Sequence, residues 1–90
     1  MKLLVVGAGA REHALSVALE AGGDSVVCAP GNPGIARDVR TIALDPNDPA
    51  AVLALAETQG ADLTVIGPEA PLAAGVADRF LAAGRLIFGP

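Results

Sequence analysis

Apolar residues fall along this chain in two kinds of run. Short, continuous stretches rich in β-branched residues predict strands over Lys2–Val6, Ser25–Ala29, Arg40–Ala43, Leu63–Ile66 and Leu86–Phe88. They lack the in/out alternation of a strand with one wet face, so they suit parallel strands covered on both sides. Longer stretches repeat every three or four residues and predict helices. Arg11–Ala21 sets Ala14, Leu15, Ala18 and Leu19 on one stripe and stops at Gly22-Gly23. The next has Asp48 as N-cap, Pro49 at the first helical position, Val52, Leu53, Leu55 and Ala56 as its apolar face, and Gly60 after its end. A third runs from Leu72 to Ala83, with Leu72, Val76 and Phe80 at four-residue spacing and Gly84 closing it.

The order β-α-β-loop-β-α-β-α-β predicts an α/β domain: a Rossmann-like, open, parallel five-stranded sheet with right-handed crossovers and helices on both faces. The expected strand order is the common 3-2-1-4-5. The segment Pro30–Val39 is the odd connection, because Pro30, Gly31, Asn32, Pro33 and Gly34 are turn chemistry. Ile35-Ala36-Arg37 adds at most a short helical turn. With that order the first helix covers one sheet face and the other two cover the opposite face. The first face then has only the thin Pro30–Val39 crossover as further cover. An incompletely screened apolar patch is expected there, open to a partner domain or a second copy.

Composition removes several function classes. Ninety residues make one small domain. Phe80 and Phe88 are the only aromatics, so the core is aliphatic and stacking platforms for single-stranded nucleic acid are absent. Six basic against ten acidic residues give a net charge of −4, which leaves no basic patch for a phosphate backbone; nucleic acid is not an expected partner. The single cysteine, Cys28, excludes an internal disulfide and any multi-cysteine metal site, and reads as a buried reduced thiol. The apolar run before Gly7 is too short for a signal-peptide core or a membrane span, so the expected setting is cytoplasmic, away from membranes.

Ligands of open parallel sheets bind beyond the carboxyl ends of the strands, where the strand order reverses. Two loops are expected to emerge side by side there: Gly7-Ala8-Gly9-Ala10-Arg11-Glu12 and Gly67-Pro68-Glu69-Ala70-Pro71-Leu72. The Pro30–Gly34 loop flanks them. Gly7 and Gly9 allow a sharp turn and close backbone approach. The helix that follows directs free N–H groups at an anion, and Arg11 adds a guanidinium able to grip phosphate. A tight β-α turn without a ligand is the other reading of the same glycines. The loop departs from a dinucleotide fingerprint, since Glu12 stands at the third glycine position and no acid follows the second strand.

Glu12 either contacts ligand or serves the helix dipole. Glu69, stiffened by Pro68 and Pro71, either accepts from sugar hydroxyls or an amine, or is a helix N-terminal acid. His13 reads as an orienting or packing residue, since it lacks a partner for metal. Asn32 forms a turn or offers its amide to a polar ligand, and Arg37, Asp38 and Arg40 read as solvated or ion-paired surface. No nucleophile and no metal site is indicated.

Taken together, these segments resemble one family. Gly7-Ala8-Gly9-Ala10-Arg11-Glu12-His13-Ala14 is similar to the opening motif of the glycinamide ribonucleotide synthetases, also called phosphoribosylamine–glycine ligases. Ala29-Pro30-Gly31-Asn32-Pro33-Gly34 resembles that family's second loop, and Asp62-Leu63-Thr64-Val65-Ile66-Gly67-Pro68-Glu69-Ala70-Pro71-Leu72 its third. Ile87-Phe88-Gly89-Pro90 resembles the end of its first domain. Ala10 stands where many members carry glycine.

The resemblance implies a pre-ATP-grasp fold for residues 1–90, as the N-terminal substrate-binding domain of an ATP-grasp ligase of purine biosynthesis. In that family ATP activates glycine as an acyl phosphate, and the amine of 5-phosphoribosylamine attacks it. ATP and Mg (or Mn) sit mostly in later domains, which this chain lacks, so it is expected to be inactive alone and to need those domains as partners. By resemblance the substrate-binding positions are Gly9, Ala10, Arg11, Glu12, Asn32, Pro68 and Glu69, none of them catalytic. The alternative is a stand-alone Rossmann-type nucleotide- or dinucleotide-binding or docking module.

Overall fold

The computed structural model describes residues 1–67 and 75–89. Its elements are β1 (Lys2–Gly7), α1 (Ala10–Ala21), β2 (Ser25–Pro30), α2 (Pro33–Ala36), β3 (Arg40–Thr41), α3 (Pro49–Gln59), β4 (Leu63–Ile66), α4 (Val76–Ala82) and β5 (Ile87–Phe88). The five strands form one parallel sheet in the order β3-β2-β1-β4-β5. β1 is central, with Val5 opposite Cys28 on one side and Val65 on the other.

Local chemistry sets the element ends. Asp48 Oδ1 accepts from the N–H groups of Ala50 (3.1 Å) and Ala51 (3.3 Å), Pro49 opens α3, and Gly60 closes it with φ +63°. The crossover after β2 contains a true short helix, one residue or two earlier than the sequence suggests. Asn32 is its N-cap, accepting from Ile35 N–H at 2.9 Å, and Pro33 is its first residue. The strand expected over Arg40–Ala43 contracts to two paired residues, Val27↔Arg40 and Cys28↔Thr41. Beyond that point β2 runs into Pro30, which has no N–H with which to continue a ladder.

The third predicted helix also differs. Gly75 has φ +82°, a conformation no α-helix can run through, and α4 starts after it at Val76. The proposed start at Leu72 lies outside the described residues.

Two cores flank the sheet. Leu3, Val5, Val26 and Cys28 face α1 and α2, packing with Ile35 and Val39 and with half-buried Leu15, Leu19 and Leu63. Leu4, Val6, Val27, Ala29 and Ile66 face α3 and α4, packing with Val52, Ala56, Val76 and Phe80. The α1 face thins out toward β5. Phe88 pairs with Val65, which pairs with Val5, so Phe88 lies on that face; it is 69% exposed, and Leu86, two residues before it, is 66% exposed. The weakly screened patch expected from the topology is therefore present over the β4–β5 half of the α1 face.

Phe80 has no accessible surface, whereas its neighbour Leu81 is 79% exposed. Phe80→Ala is expected to lower the free energy of unfolding by about 3–5 kcal/mol, and Leu81→Ala to change it by no more than about 0.5 kcal/mol. Urea unfolding followed by circular dichroism distinguishes the two, and similar losses for both would refute this assignment of the core.

Candidate functional site

Backbone hydrogen bonds gather three strand ends at the point where strand order reverses. Gly67 N–H donates to Val6 O at 2.8 Å, which fixes the end of β4 against the end of β1. Gly31 N–H donates to Gly7 O at 3.0 Å, which fixes the end of β2 on the other side. The turns opening at residues 7 and 67 thus emerge next to each other, with no strand between them. A side-chain tether adds to this: Asn32 Nδ2 donates to Ala8 O at 2.7 Å while its Oδ1 caps α2. Gly31, at φ +67°, must be glycine for a second reason, since a Cβ there would meet Thr41 Cγ2 at 2.6 Å.

The first loop leads into the N-terminus of α1. Its N-cap is Gly9, in an extended conformation, which has no side chain to offer the first-turn amides. Those N–H groups remain directed out of the helix toward the loop, beside the exposed Ala10 and Arg11. Gly9, Ala10, Arg11 and Asn32 are therefore brought to one rim. Pro68 and Glu69 lie outside the described residues.

Glu12 takes an unexpected position. Its side chain is completely buried, and Oε1 accepts from Gly9 N–H at 3.0 Å. This is the acidic half of a capping box. Oε2 is buried without a hydrogen-bond partner among the described residues. The chain of this residue lies between the ends of β1 and β4: a Cβ on Gly7 would come within 2.5 Å of Glu12 Cγ and Oε1, and a Cβ on Gly67 would overlap its Cγ, Cδ and Oε2. Glu12 therefore forms the wall between the two loops, beneath the surface a ligand would meet.

The other singled-out residues are committed to structure. His13 Nε2 donates to Asp38 Oδ2 at 2.6 Å, tying the first turn of α1 to the turn after α2, so His13 orients these two turns through a hydrogen bond to Asp38. Arg40 Nη1 donates to Gln59 Oε1 at 3.3 Å. Cys28 is buried and reduced, and its Sγ donates weakly to Gly7 O at 3.5 Å. Burial pushes its thiol pKa above the ordinary 9.0; the neighbouring Ser16 hydroxyl opposes this, and the Glu12 carboxylate reinforces it. Sequence reasoning missed the Glu12 wedge. Its signal was an acid three residues after Gly9 combined with a glycine at the end of each flanking strand.

No three His, Cys, Asp or Glu side chains converge as a metal site among the described residues. A cleft of about 300 Å³ opens at the opposite edge of the sheet, lined by Lys2, Ser25, Arg40 and Gln59 among others. It lies at the amino ends of the strands and gathers no acid–base pair. No described helix is long and apolar enough to cross a membrane.

Fold and site together define an open, doubly wound α/β domain whose glycine loops converge on a helix N-terminus at the switch point. All of residues 1–90 match the family model described as "Phosphoribosylglycinamide synthetase, N domain", and the chain belongs to that family. The phosphoribosylamine–glycine ligase of Streptomyces coelicolor is 54% identical over 92 residues, and that of Leifsonia xyli subsp. xyli 55% over 93; each alignment covers 100% of this chain and 22% of the relative. A crystal structure of the phosphoribosylamine–glycine ligase of Thermotoga maritima superposes with a TM-score of 0.65 at 27% identity, covering 100% of this chain and 19% of that one. The chain thus spans about a fifth of the length of these relatives.

Cys28 is more basic in the folded state than its ordinary value. Its contribution to stability is therefore complete below the unfolded thiol pKa and is lost as pH rises through the folded one. Unfolding free energy is expected to fall above about pH 9, and Cys28→Ala to flatten that decline; equal slopes in urea titrations at pH 7 and pH 10 would contradict this. Asn32→Ala removes a cap and a loop tether together and is expected to cost about 1–2 kcal/mol in the same assay.

Proposed function

We propose that this chain is the N-terminal substrate-binding domain of a purine-biosynthesis ligase, which joins 5-phosphoribosylamine and glycine through a glycyl phosphate while ATP is hydrolysed to ADP and phosphate. Membership of the synthetase N-domain family supports this reading, as do the names of the relatives. The observation that carries it is the rim formed by Gly9, Ala10 and Arg11 at the start of α1, whose N-cap glycine has no side chain to cover the first-turn amides, fixed to the Asn32 loop by the Asn32–Ala8 bond.

At that rim the first-turn N–H groups and the Arg11 guanidinium would hold the phosphoribosyl substrate, with Asn32 on the flank. From the sequence, Glu69 is proposed to contact the ribose or amine, and Pro68 to shape the pocket wall with Asn32. Among the described residues the rim offers no nucleophile, and the reaction asks for none from it. Its contribution is positioning, which lowers the entropic part of a bimolecular barrier. The described residues include no carboxylate cluster fit to hold Mg²⁺ or Mn²⁺. By the family resemblance, ATP, Mg²⁺ or Mn²⁺ and glycine activation would lie mainly outside this chain, in a longer protein acting in the cytoplasm.

The competing reading is a stand-alone dinucleotide-binding or docking module. The buried Glu12 side chain counts against dinucleotides, because it fills the close approach that a third glycine would leave open.

Arg11→Ala, made in the complete protein, is expected to raise KM for phosphoribosylamine by about 10-fold or more, as befits loss of a charge-assisted contact, with folding unaffected. Unchanged kinetics would remove Arg11 from the site. Calorimetric binding of NAD by the wild-type protein, with no response to phosphoribosylamine, would favour the dinucleotide reading.

A further inference from the structure

We infer that Glu12 is a positioning residue of this substrate site: its carboxylate sets the spacing between the loops that follow β1 and β4 and holds the Gly9 amide in place. The inference rests on the proposed substrate site for its kinetic consequence, but its geometry stands apart from that reading.

Three observations converge. The side chain occupies the crevice between Gly7 and Gly67, and each of these positions tolerates only a hydrogen where its Cβ would be. Gly7 ends the central strand and Gly67 directly follows its neighbour β4, so the width of the crevice is also the distance between the two loops. Finally, Oε1 accepts from Gly9 N–H, the N-cap amide at the start of the helix whose first turn faces the ligand.

A residue serving only to fill space would be better apolar. Enclosing a carboxylate carries a desolvation cost that an apolar side chain of equal volume avoids, and Oε2 recovers no hydrogen bond here. The helix N-terminal dipole offsets part of that cost. What the carboxylate adds over a hydrocarbon is the directional bond to Gly9, and with it a fixed orientation of the loop. Glu12 does not touch solvent, so it acts through Gly9 and the two strand ends and not on the substrate itself.

Glu12→Met separates filling from positioning. It keeps the volume and discards the acceptor. In the complete protein it is expected to unfold at the same or a higher temperature than wild type, yet to raise KM for phosphoribosylamine at least 10-fold, with a smaller change in kcat. Glu12→Gln keeps both shape and acceptor and is expected to restore KM to within about threefold. Hydrogen-exchange mass spectrometry should show faster exchange at Gly9 in the Met variant and not in the Gln variant. A folded Met variant with wild-type KM and wild-type Gly9 exchange would overturn the inference.

Should Glu12→Met fail to fold, Glu12→Asp carries the test. It retains the carboxyl group but is one methylene too short to span the crevice, and it is expected to raise KM and quicken Gly9 exchange; no change in either would refute the role. If wild-type protein makes no use of phosphoribosylamine, the proposed function fails, while Gly9 exchange still decides whether Glu12 positions the loop.

Discussion

The arrangement depends on a carboxylate placed where two strands end. Gly7 and Gly67 leave room at the switch point, and the Glu12 side chain fills that room from the first turn of α1. One residue thereby links a helix to the ends of β1 and β4. Without glycine at both positions, the loops would be forced apart or the acid expelled toward water. Around this contact the structure adds bonds that are individually ordinary. Val6 O receives Gly67, Gly7 O receives Gly31, and Ala8 O receives Asn32. Each joins a different strand end or loop to the first loop, so the rim is held from both sides.

Much of the fold was legible because the chain is locally consistent. Asp48, Pro49 and Gly60 mark α3 by side-chain capping, fixed φ and left-handed φ, three mechanisms that need no tertiary context. Continuous apolar runs separated by helical ones dictated a parallel sheet, and the reversal of strand order located the loops. What escaped was decided by partners. The third strand shortens because its neighbour reaches Pro30, a fact about pairing and not about residues 40–43. Helix periodicity ran across Gly75, where the backbone turns left-handed instead.

The site was legible as a place but not as a set of contacts. Gly9, Ala10, Arg11 and Asn32 come together as their loops suggested, but sequence could not show that Asn32 already bonds at both ends of its amide. Nor could it show that Glu12 is enclosed. Acids at the third helical position are commonly exposed caps, and only the pairing of β1 with β4 brings a second glycine over this one. His13 illustrates the converse. A lone histidine carries little information until Asp38, twenty-five residues away, is found 2.6 Å from its ring.

The central place of β1 has a consequence for the order of assembly. Its partner on one side, β2, begins at Ser25, but its partner on the other side, β4, does not begin until Leu63. As the chain leaves the ribosome, β1, α1 and β2 can close on themselves while one edge of the central strand still has no neighbour. During that interval Glu12 has Gly9 to bond but no Gly67 to lie against. Arrival of the fourth strand then fills the open edge of β1 and encloses the acid in a single event, so the loop after β1 takes its final shape only when the second half of the domain has joined the first.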